Sequence, residues 1–102
     1  MSQSFDSKKY FVESCLARIR ESVRKGYYDE AEETLQLLKN LLKGTGITLN
    51  PSQISEIIET YKLNIKHYLN KGAHTAAQNA TKRMEKFKIE IEPFTEHKST
   101  SK

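Results

Sequence analysis

Tryptophan is absent from the 102-residue chain, proline occurs twice, glycine four times and cysteine once. A lone thiol, Cys15, rules out an intrachain disulfide and fits a reducing compartment. It also leaves no zinc-type ligand spacing, since Gly72 interrupts the interval between His67 and His74, and His97 stands apart. No apolar stretch exceeds a few residues, so none suits a membrane-spanning helix. The opening MSQSFDSKKYF has no apolar signal core, and Ser2 is not the glycine that myristoylation requires. No glycine-rich loop is spaced to cradle phosphate, and the acids Asp29, Glu30, Glu32 and Glu33 lack the ligand spacing of a calcium loop. The expectation is an intracellular protein, cytoplasmic or nuclear, with no cofactor, no metal and no membrane partner.

What is present is charge and helical periodicity. Charged residues make up 29% of the chain and hydrophobic ones 36%, with a formal net charge of +4. The length suits one domain with one modest core. Phe11, Val12, Cys15, Leu16, Ile19 and Val23 recur at steps of three and four, which predicts a first helix from about Ser7 to Lys25. Ala31, Leu35, Leu38, Leu41 and Leu42 predict a second, from Tyr28 to Lys43, stopped by Gly44 and Gly46. Asn50, Pro51 and Gln53 form a cap, first-turn proline and capping-box partner for a third helix. That helix carries Ile54, Ile57, Ile58, Tyr61, Ile65, Tyr68 and Leu69 as far as Gly72. Ala77, Ala80, Met84, Phe87 and Ile91 mark a fourth, ended by Pro93. Ile47 and Leu49 in the linker are placed to cover the core. Residues 1–6 read as a flexible arm, 7–93 as one helical domain and 94–102 as a disordered polar tail.

Sliding the chain by 46 residues places Tyr28 on His74, Lys25-Gly26 on Lys71-Gly72, Ala31 on Ala77 and Ile19 on Ile65. The fold expected is all-α: four helices as two stacked antiparallel hairpins, solenoid-like or closed into a four-helix bundle. Each hairpin alone would leave an apolar face in water, and stacking covers it. Leu38, Ile58, Ile65 and Met84 are expected in the core, and Gly26 and Gly72 at equivalent bends with positive φ. Across the first bend, the cations ending helix one are expected to face the acids opening helix two.

The bend itself, Gly26-Tyr27-Tyr28-Asp29-Glu30-Ala31, resembles the inter-helix turn of tetratricopeptide-like repeats. There a glycine precedes an aromatic, two acids and a small alanine. Ile19 and Lys43 depart from that family's pattern, and its period is shorter, about 34 residues. The likeness spans about ten residues and implies a helical hairpin with a surface for peptides or proteins.

No nucleophile, general base and stabiliser recur in a catalytic spacing, so an enzyme is not expected. Leu37 and Leu63 fall off the main stripes of their helices. With Tyr27 and Tyr28 they are the candidate surface for a partner helix or peptide, or for a second copy of the chain. The expected role is a non-enzymatic protein-binding module: an adaptor, a chaperone-like factor or a small assembly subunit. The alternative is nucleic-acid binding through Arg18, Arg20, Arg24, Lys82, Arg83 and Lys86. Cys15 is expected to be a buried structural thiol.

Overall fold

The computed structural model describes residues 2–96, with side chains from Ser7 onward. Four helices follow in order: α1 Ser2–Arg24, α2 Tyr28–Thr45, α3 Pro51–Asn70 and α4 His74–Ile91, closed by a 3-10 turn over Glu92–Phe94. α1 packs on α2 and α3 on α4 as two hairpins, stacked mainly through α1 against α3. α2 and α4 meet sparsely, through long side chains. No helix among the described residues is long and apolar enough to cross a membrane.

α1 starts at Ser2 rather than Ser7. Neither glycine nor proline interrupts this stretch, so a helix nucleated in the packed turns propagates back through it. The third helix starts as its sequence dictates. The Asn50 side chain accepts from the Ser52 amide at 2.9 Å, and the Gln53 side chain accepts from the Asn50 amide at 3.1 Å. Gly46 supplies the left-handed cap of α2, while Gly44 lies within the helix.

The two bends are near copies. α2 and α4 each have 18 residues, and each follows a residue with almost the same backbone angles, Tyr27 (φ −87°, ψ 71°) and Ala73 (φ −85°, ψ 72°). Gly26 and Gly72 stand at φ 82° and 75°. The next amide donates back into the preceding helix at 2.8 Å in both cases, Tyr27 to the Ser22 carbonyl and Ala73 to the Tyr68 carbonyl. A β-branched side chain is strained at such φ. Gly26→Val and Gly72→Val are each expected to cost about 1–3 kcal/mol in urea melts. Unchanged midpoints would show that the bends do not demand glycine.

The core runs between the hairpins. Ile19, Val23, Leu38, Leu42, Ile57, Tyr61 and Ile91 are fully buried, and Met84 and Phe87 are buried beside them. The Tyr61 ring stacks on Tyr28 at 5.7 Å between centroids and meets Phe87 at 6.1 Å. Ile58 and Ile65, expected in the core, are only half-buried at its edge. They lie on the side of the second hairpin that no further hairpin covers.

Leu49 is buried in the linker, and Ile47 packs against the core. The Leu49 amide donates to the Phe94 carbonyl and the Glu96 amide to the Leu49 carbonyl, each at 2.8 Å. Residues 94–96 are therefore pinned to the linker. Residues 97–102, His97 among them, lie outside the described part of the chain.

Candidate functional site

Stacking two hairpins leaves two outer faces, and each carries a groove. On the first hairpin the groove lies between α1 and α2, has a volume of about 310 Å³, and is lined by Phe11, Ser14, Cys15, Arg18, Thr34 and Leu37. Phe11 and Leu37 are 59% and 63% exposed, high values for large apolar side chains. Cys15 is half-buried at the floor. Burial raises its thiol pKa, and Arg18 only partly opposes this. On the second hairpin a groove of about 380 Å³ lies between α3 and α4. Ile65, Leu69 and Ala77 form its apolar floor, and Lys82 and His74 border it.

Of the residues expected at a partner surface, Leu37 alone lines one of these grooves. Leu63 is 66% exposed, but Glu59 and Lys66 are its exposed neighbours one helical turn away, so it sits on a solvated face. Tyr27 is exposed at the first bend, beside a polar cleft bordered by Gly26, Asp29, Asn79 and Arg83. Tyr28 is not a surface residue. It is buried between the hairpins, its ring on Tyr61 and its hydroxyl 3.3 Å from that of Tyr68. Asn64 ties this cluster together, donating to the Tyr28 hydroxyl at 3.0 Å and the Val23 carbonyl at 2.6 Å. Adjacent tyrosines on a helix start point about a quarter-turn or more apart, so one is buried and the other exposed.

Burial, reinforced by the Tyr68 hydroxyl, pushes the Tyr28 phenol up from 10.0 to about 12, and burial raises Tyr61 as well. The folded state then holds these protons where the unfolded state has lost them. The Tyr28 contribution is complete below pH 10 and is lost as pH rises through about 12. Tyr28→Phe is expected to flatten the fall of the urea midpoint between those values. A fall as steep as that of wild type would refute the assignment.

The basic candidates are largely engaged within the protein. Arg20 meets Glu56 at 3.0 Å, and Arg24 pairs with Glu21 on its own helix. Arg83 reaches Asp29 at 3.0 Å and Glu32 at 2.8 Å, while Lys86 meets Glu32 at 3.4 Å. Asp29 and Glu32 at the start of α2 are thus answered by α4, and Glu30 accepts from the Ser22 hydroxyl of α1 at 3.0 Å, so the cations ending α1 do not take the place the sequence suggested. The side chains ending α1 turn back onto Glu21, because a neighbour one turn away is closer than one across the bend. Hydrogen bonding to Glu32 holds the Arg83 guanidinium more firmly protonated. Arg18 and Lys82 instead border the two grooves.

Phe11, Ile65 and Leu69 belong to the apolar stripes of their helices, yet all three line the open grooves. Periodicity shows which side of a helix is apolar but not whether a neighbour covers it. The signal that could have found the grooves was the internal repeat, since each of its two hairpins has one face that the other does not cover. Among the described residues no group of three or more His, Cys, Asp or Glu is placed to hold a metal ion. No family model matches the chain, and neither the curated proteins nor the solved structures yielded a match.

Proposed function

We propose that the protein is a non-enzymatic helical interaction module, and that the α1–α2 groove receives an apolar helix or extended segment of a protein partner. The observation that carries this is the exposure of Phe11 and Leu37 on either side of a half-buried Cys15 floor. Large apolar side chains held open to water on a rigid hairpin gain from being covered, at roughly 25 cal/mol per Å². Arg18 at the rim adds a donor for a carboxylate or a main-chain carbonyl of the partner. The likeness of the first bend to tetratricopeptide-like turns points the same way, towards an adaptor, chaperone-like factor or small assembly subunit.

Nucleic-acid binding is less well supported, because Arg20, Arg24, Arg83 and Lys86 already have carboxylate partners. Two measurements separate the readings. Binding to generic DNA and RNA is expected to be weak at physiological salt, and partners captured from the native cell are expected to survive nuclease treatment. Sub-micromolar nucleic-acid binding that falls with salt, by a logarithmic slope of about −0.9 per phosphate neutralised on duplex DNA, would overturn the proposal. So would the loss of every partner on nuclease treatment.

A further inference from the structure

The two outer grooves are related by the internal repeat, and the inner interface shows what such faces hold. The shift that carries Tyr28 to His74 also carries Phe11 to Ile57, Cys15 to Tyr61, Thr34 to Ala80 and Leu37 to Arg83. Ile57, Tyr61 and Ala80 are buried where the second hairpin meets the first, and Arg83 bonds Asp29 and Glu32 across the same junction. The exposed α1–α2 groove is therefore the first hairpin's version of the face by which the second docks.

The opposite groove is the matching seat. Ile65, Leu69 and Ala77 occupy the places of Ile19, Val23 and Ala31, which are buried in the first hairpin. Val23 offers its carbonyl to Asn64 from the second hairpin at 2.6 Å. The equivalent carbonyl on the open seat belongs to Leu69, and the residue equivalent to Asn64 is Arg18, also a donor.

We infer that the chain stacks head to tail on a second copy of itself, the Phe11–Leu37 groove of one molecule seating on the Ile65–Leu69 groove of the next. The inference rests on the reading of the α1–α2 groove as a protein-docking surface, and it names the occupant. Charge does not oppose this choice. Where Arg83 meets Asp29 and Glu32 inside the molecule, Leu37 would meet Thr75 and Gln78 of the next. Where Arg20 meets Glu56, Lys66 would meet Tyr10. None of these repeated pairs sets like charges together. The contact uses two different surfaces, so it does not close on itself in a dimer and propagates to longer stacks or rings.

Sedimentation of the whole chain tests this with one substitution in each groove. Wild type is expected to form a concentration-dependent series of species at or below about 1 mM, the weak end of measurable affinity. Leu37→Asp and Leu69→Asp, both at exposed positions, are each expected to stay monomeric while melting like wild type. Mixed in equal amounts they should form a dimer and nothing larger, because each retains one good groove.

Association of either groove variant alone, or a monomeric mixture beside an assembling wild type, would overturn the inference. So would a wild type that is monomeric at about 1 mM. That last result would leave a groove for a different protein to stand or fall on the capture experiment.

Discussion

Tyr61→Ala is expected to leave the chain largely unfolded under conditions where wild type is native. The side chain is 1% exposed and sits between the Tyr28 and Phe87 rings, so one residue joins α2, α3 and α4. Removing a buried aromatic ring costs about 3–5 kcal/mol, the lost transfer energy plus the cavity left behind. A small domain has about 5–15 kcal/mol in all, and one of this size belongs towards the lower end. Tyr61→Phe keeps the ring contacts and is expected within about 1–2 kcal/mol of wild type. Urea melts of the pair measure the difference. A cooperative transition near the wild-type midpoint for Tyr61→Ala would mean that the hairpins do not pack through this ring.

The second large effect is expected at Leu38, and its contrast with Ile65 matters as much as its size. Leu38 is fully buried in the middle of α2, and Leu38→Ala should cost about 2–5 kcal/mol. Ile65 has the same apolar character and lies on an equally good stripe, but one side of it lines an open groove. Water fills the space that its truncation leaves there, so Ile65→Ala is expected to cost only on the order of 1 kcal/mol. Equal losses at the two positions would mean that the α3–α4 face is covered in solution. Self-association would provide that cover, so the pair is best measured in dilute protein.

The architecture was legible because local signals and apolar periodicity agreed. Gly26 and Gly72 marked the bends, Asn50-Pro51-Gln53 marked the third helix start, and four stripes marked four helices. The candidate site was legible only in fragments. Leu37 stood off its stripe and proved exposed, whereas Tyr28 looked like a surface aromatic and proved to be the ring beneath Tyr61. A stripe records the apolar side of a helix, but coverage depends on how many hairpins stack, and that is a tertiary fact. The same limit explains Arg83. In the sequence it is one cation among many, and the packing of α4 beside α2 makes it the residue that answers Asp29 and Glu32.

Affinity capture from the native cell, run in parallel with wild type, Leu37→Asp and the charge-reversed pair Arg20→Glu with Arg24→Glu, tests the docking groove most directly. Apolar anchors dominate protein interfaces and exposed rim charges add little, so the two variants should differ sharply. The expected result is that Leu37→Asp loses the partners wild type recovers, while the charge-reversed protein keeps them. Retention by Leu37→Asp together with loss on charge reversal would contradict the α1–α2 groove as the binding surface and move it to the basic faces of the helices.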